Sequence, residues 1–139
     1  MVDVRSRVHR ILRPLVGFLD LQERSEWPTA LDPKPVLPPS ETALGIYTDE
    51  PTNFSDAIVF TTQGLHVRSE KSWLYIPYSD IERAVPPASK TEVTGFGILR
   101  RDGTEVWLPV TGSKGGRFYD AFEVLRFVDR VKVDATSTP

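Results

Sequence analysis

The sequence predicts a mostly β fold with helices: seven short antiparallel strands, a C-terminal helix behind them and an N-terminal amphipathic helix in front. Three observations carry this expectation. Between Ala43 and Val110, β-branched and aromatic residues come in short runs broken by turn residues. From Arg117 to Val131 the apolar period changes to that of a helix. From Val4 to Leu19 the apolar residues recur at steps of three and four.

The first segment places Val4, Val8, Ile11, Leu12, Leu15 and Leu19 on one stripe, with Arg7, Arg10 and Arg13 projecting away from it. Pro14 removes a helical hydrogen bond and disfavours helix at Arg13, so a kink or a split into two short helices is expected there. The run PTALDPKPVLPP from Pro28 to Pro39 favours an extended connector that separates this helix from the strands. Its Pro35–Pro38 spacing also matches a PxxP ligand, but a spacer is the simpler reading.

Ala43–Tyr47 is the first expected strand, followed by an acidic loop around Asp49, Glu50 and Asp56. Ala57–Thr61 and Leu65–Arg68 flank Thr62-Gln63-Gly64, where glycine suits a hairpin turn. Trp73–Pro77 and Ile81–Val85 follow, ended by Pro86-Pro87, which cannot continue a ladder. Gly95–Arg100 and Thr104–Val110 flank Arg101-Asp102-Gly103, and Asp-Gly is a strong hairpin signal. In the C-terminal helix, Phe118, Ala121, Phe122, Leu125 and Val128 form one face, widened by Val124, Phe127 and Val131. More than half of the circumference is therefore apolar, and the helix should touch more than one surface.

Length bounds the organisation. The 139 residues suffice for one domain with an appendage, divided as an N-terminal helix over 1–27, a proline-rich linker over 28–40, a strand-and-helix domain over 41–134 and a disordered tail over 135–139. The formal charge of -2 gives no global attraction to nucleic acid or anionic lipid. The absence of cysteine excludes disulfides, thiolate metal sites and cysteine nucleophiles, and it suits a reducing compartment. No apolar run is long enough to cross a bilayer as a helix, and arginines interrupt any secretory-type apolar region near the N-terminus, so a cytoplasmic, unprocessed chain is expected.

Little in the sequence carries chemistry. The two histidines, His9 and His66, are far apart in the chain, and no metal-binding spacing accompanies them, so no metal and no cofactor is expected. His66 sits between Leu65 and Val67 and should face solvent from its strand. No nucleophile elbow or supported acid pair is present. Gly95-Phe96-Gly97 suits a bulge or a sharp bend in a strand.

One loop is a candidate anion site. Gly112, Ser113, Lys114, Gly115, Gly116 and Arg117 lie just before a helix, where backbone N–H groups and the helix dipole favour a phosphate or carboxylate. Arg7, Arg10 and Arg13 form a second candidate surface, for a partner or an anionic membrane, although acids nearly balance the five arginines before Trp27. Trp73, Tyr75 and Tyr78 lack the surrounding basic stripe that nucleic-acid binding needs.

The strand order with one closing helix resembles the pleckstrin-homology-like superfold, including its bacterial and GRAM-type relatives. The resemblance covers Thr42 to Val133 and rests on IVFTTQGLHV (Ile58–Val67), LYIPYSDIERAV (Leu74–Val85) and the Asp102-Gly103 hairpin. It implies a strongly bent sheet, or partly open barrel, with Phe118, Phe122 and Leu125 of the helix plugging one end. It also implies a non-enzymatic binding module for proteins, peptides or phosphoinositides. A protein partner is the expectation, because the strand region has no concentrated basic patch. A homo-oligomerising structural protein, peripheral binding to anionic lipid or a phosphate ligand, and an enzyme built on the Gly112–Arg117 loop are the alternatives.

Overall fold

The computed structural model describes residues 4–15, 17–22, 27–29, 31, 34–48, 54, 56–69, 72–86, 95–110 and 119–136. Among the described residues, eight antiparallel strands form two sheets. The five-stranded sheet has the order β1-β2-β3-β4-β5, built from Phe18–Asp20, Ala43–Tyr47, Ile58–Thr61, Gly64–Ser69 and Ser72–Pro77. The three-stranded sheet has the order β6-β7-β8, from Ile81–Val85, Gly95–Arg100 and Glu105–Pro109. The fold is thus mostly β with helices, as expected, but the strands divide five and three and do not close into one barrel.

All seven expected strands are present; β1 is additional. The Val4–Leu19 periodicity had read as helix kinked or split at Pro14; helix α1 spans only Val4–Arg7 and passes into a π turn over Val8–Leu12, and no second helix follows Pro14 among the described residues. Arg13 N–H donates to Val8 O at 3.0 Å, the i→i+5 bond of that turn. Pro14 explains the ending, since its ring would clash with the carbonyl four residues back and it has no N–H to extend the ladder. Phe18–Asp20 then pairs with Gly45–Tyr47.

The main core lies between the two sheets and the C-terminal helix α2, Tyr119–Thr136. Phe60 of β3 meets Phe127 of α2 edge-on at 5.3 Å, and Tyr78 meets the same ring at 6.1 Å. Fully burying side chains of this size stabilises by about 1.5–3 kcal/mol each. Val8, Ile11, Leu12 and Leu15 belong to the same cluster, so the N-terminal turns pack onto this domain. On α2 the buried face is Ala121, Val124, Phe127, Val128 and Val131. Phe122, expected to plug the sheet, is 40 % exposed because its angle places it across the helix from Val124; Leu125 is partly buried against the core, and Phe118 lies outside the described residues. The helix runs to Thr136, two residues into the stretch expected to be a tail.

A 3-10 turn, Tyr78–Asp80, joins the sheets at a corner. The Tyr78 hydroxyl donates to Thr61 O at 2.8 Å, and Arg100 Nε reaches Asp80 at 2.9 Å. The expected hairpin at Asp102-Gly103 is present: Gly103 has φ of 90°, its N–H bonds Arg100 O at 3.0 Å, and Asp102 accepts from the Thr104 N–H. Gly95 and Gly97 make no bulge. The register shifts lie at Ala43/Gly45 and Ile81/Arg83 instead, and a Cβ on Gly95 would lie 2.0 Å from Leu108 O, so close backbone approach is what this glycine permits.

The outer face of the five-stranded sheet is covered as well. Ile46 and Val59 point away from the main core and join Leu21, Leu31, Phe54 and Ala57 in a second cluster, with Trp27 and Trp73 packed on it. The described residues between Trp27 and Glu41, 28–29, 31 and 34–40, therefore fold back as a strap over the sheet, with Leu31 and Pro35 buried. The strap is fastened at its end where Thr62 N–H donates to Thr42 O at 3.0 Å and Thr42 N–H donates to Thr62 Oγ1 at 3.2 Å.

Candidate functional site

Under the strap, four polar side chains meet on the outer face of β3, β4 and β5. Strand alternation sends Leu65 and Val67 into the main core and therefore sends His66 outward. Outward had been expected to mean solvent; His66 is only 3 % exposed because the strap covers this face. A turn at the strap's end, closed by Glu41 N–H to Pro38 O at 3.0 Å, brings the Glu41 carboxylate in beside it.

The Glu41 side chain is 1 % exposed. Its Oε1 accepts a short hydrogen bond from the Thr61 hydroxyl and lies 3.4 Å from His66 Nε2. A carboxylate accepts, so Nε2 is the donor and Nδ1 is left as the acceptor of a neutral ring. Oε2 has no hydrogen-bond partner among the described residues. Tyr75, opposite His66 in the ladder, stacks on its ring at 4.6 Å.

Each ionisable group responds to this burial. Desolvation holds the His66 pKa below its ordinary value, while the hydrogen bond and charge of Glu41 partly offset that effect. Burial first, and then the Glu41 carboxylate, push the Tyr75 hydroxyl up to about 12. The same causes, with burial foremost, raise Tyr78 well above its ordinary value. Thr61 gives its proton to Glu41 and not to His66, while its oxygen accepts the N–H groups of Gln63 and Gly64 at 3.1 and 3.0 Å. The hydroxyl is thus tied into the turn and into the strap at once, an arrangement that fastens the strap to β3.

Beside this cluster a cleft of ≈ 370 Å³ opens between strap and sheet, lined by Lys34, Val36 and Pro38 on one side and His66, Trp73 and Tyr75 on the other. Val36 is 91 % exposed at its mouth. The cleft adjoins β5, the last strand of its sheet. Arg68 N–H donates to Ala57 O, on the β3 side of β4. By antiparallel alternation the backbone groups of its partner Trp73, and of Tyr75 two residues on, point away from β4 to the outer edge. Among the described residues no strand pairs with that edge.

The residues singled out from the sequence fall elsewhere. Gly112, Ser113, Lys114, Gly115, Gly116 and Arg117 lie outside the described residues. Arg10 and Arg13 line a second cleft, of ≈ 490 Å³, together with Arg5, Ser6, His9 and Asp20; Arg7 is not part of its wall. Sequence reasoning missed Glu41, Thr61 and the strap side of the first cleft. The signal available was the unbroken apolar run Ile58–Phe60, which marks a strand buried on both faces and so requires a cover over His66.

Comparison of the chain with protein-family models, with curated proteins and with solved structures finds no match.

Proposed function

We propose that this protein is a non-catalytic, pleckstrin-homology-like binding module that takes an extended segment of a protein partner along β5, with a partner side chain seated in the strap cleft. The observation that carries the reading is the juxtaposition of the outward backbone groups of Tyr75 with the aromatic cleft that its side chain lines together with Trp73 and His66. Main-chain pairing along such an edge supplies affinity, and a pocket for alternate side chains supplies selectivity. Leu74, 40 % exposed on the opposite face of the same strand, offers the incoming segment further apolar surface. The module reading is supported by the run β2–β5, a corner, β6–β8 and a terminal helix.

Selection of peptides from a displayed library on the full chain, followed by amide chemical-shift mapping, tests this. Shifts centred on Tyr75, the cleft and the strap, with slowed exchange of the outward Tyr75 amide, are expected. Peptides that map to α2 or to the N-terminal turns overturn the proposal. So does concentration-dependent self-association through β5 without peptide binding, which would make a second copy the natural occupant.

A further inference from the structure

We infer that the strap cleft selects a side chain with a flat apolar body and a hydrogen-bond donor, an indole in chemical class, and that His66 Nδ1 is the atom that reads the donor. The inference rests on the cleft being the seat proposed for the partner's side chain, and it adds what that side chain must carry. The ring of His66 has one hydrogen-bond partner among the described residues, Glu41, engaged through Nε2 at 3.4 Å. Because the carboxylate accepts, Nε2 carries the hydrogen and Nδ1 presents a lone pair. Among the described residues, Glu41 Oε2 is the one buried side-chain polar atom that is both enclosed and without a hydrogen-bond partner. Nδ1 has no partner either, so it is not enclosed, and the open space that His66 borders is the cleft. Tyr75 stacks on a face of the ring, 4.6 Å between centroids and 27° between planes, which steadies the ring and leaves its edge to an incoming group.

The rest of the lining sets the shape of what can enter. Val36 and Pro38 offer apolar surface from the strap, while Trp73 and Tyr75 offer rings from β5, so a flat group fits between them. A volume of ≈ 370 Å³ has room for one such side chain. Ser72 and Trp73 engage in interactions of their own, and Lys34 brings a donor, its ammonium 5.9 Å from the centre of the Trp27 ring. His66 Nδ1 is therefore the acceptor to be met, and the Glu41 carboxylate at Nε2 keeps it an acceptor by fixing the tautomer. An indole meets it, because its N–H donates and it has no acceptor that needs a partner. A purely apolar side chain would cover Nδ1 without pairing it, and a carboxylate would set acceptor against acceptor.

Indole and benzofuran, its isostere with oxygen in place of N–H, provide the test on the full chain. Each is titrated into nitrogen-15-labelled protein at neutral pH, and the amide signals around the cleft and the His66 ring nitrogens are followed by NMR. Indole should bind about tenfold tighter than benzofuran, and indole alone should move the Nδ1 signal towards that of a protonated nitrogen. His66→Phe keeps a ring and removes the acceptor, so it should bring the two affinities together. That variant also strips Glu41 of a donor, so the Nδ1 signal of the unsubstituted protein is the readout that does not depend on its folding. Equal binding of the two probes in the cleft, or an Nδ1 signal that indole leaves unmoved, overturns the inference while the seat itself stands. Failure of both probes to perturb the cleft overturns the inference together with the seat. Tighter binding of butylammonium than of indole also overturns it, by making the cleft a cation site.

Discussion

His66 Nε2 lies 3.4 Å from Glu41 Oε1, a contact that joins the end of the strap to β4 of the five-stranded sheet. Both side chains are almost completely enclosed, so the pair sits in a medium where an unmet polar group is costly. Replacing Glu41 by alanine should leave His66 without its acceptor and turn the Thr61 hydroxyl to Gly64 O, 3.1 Å away, lowering stability by about 1–3 kcal/mol. Glu41→Gln keeps an acceptor for Thr61 and should lose less. Urea midpoints at constant slope measure both.

The pH dependence of stability should follow His66. Its folded pKa lies below the ordinary histidine value of 6.5, so the unfolded chain binds the proton more readily than the folded one. The contribution is complete above pH 6.5 and is lost as pH falls through the folded pKa. His66→Gln should flatten this acid limb. Because Glu41 pulls the pKa back up, Glu41→Gln should move the His66 ring titration lower still, as read from its NMR signals.

Two glycines with positive φ should respond differently to alanine. At Gly95 a Cβ would meet Leu108 O at 2.0 Å, so Gly95→Ala combines backbone strain with a clash and should cost about 3 kcal/mol. At Gly103 nothing lies within 4 Å, and Gly103→Ala should cost only the conformational term, about 1 kcal/mol. Thermal unfolding of the two variants gives the comparison.

Val36 separates binding from folding. It is 91 % exposed at the cleft mouth, so Val36→Asp should change stability by less than about 0.5 kcal/mol. The same substitution should weaken capture of an extended peptide along β5, measured by fluorescence anisotropy of the labelled peptide.

Removal of residues 1–37 should not leave a folded remainder. It deletes Val8, Ile11, Leu12 and Leu15 from the main cluster and Leu21 and Leu31 from the second, opening both faces of the sheet at once. Loss of near-ultraviolet circular dichroism and gain of dye binding to exposed apolar surface are the expected signs.

Much of the fold was legible because its information is local. The Asp102-Gly103 turn, the proline stops and the period-two runs each specify their own geometry, and the seven expected strands lie close to where these signals put them. The misreadings share one cause. Leu15 and Leu19 continue a helical spacing, but whether Phe18–Asp20 is helix or strand is decided by the open edge of β2, far along the chain. His66 has the right parity for an outward position, yet its surroundings are set by the strap. Glu41 gave no local sign of function, since its partners Thr61 and His66 are 20 and 25 residues away. Arg10 and Arg13 were picked out by charge, while Arg5 and His9 joined them only through the widened turn before Pro14.

Val8 and Phe127 share a hydrophobic cluster, although well over half of the chain separates them in sequence. During synthesis the N-terminal turns emerge first and must stay undocked until the C-terminal helix has left the ribosome. Their apolar stripe is exposed throughout that interval, and closing so long a loop slows the final step. The last event in folding should therefore be the docking of the Val8–Leu15 turns on the Tyr119–Thr136 helix, which makes those turns the natural point of attack for proteases and chaperones until they are docked.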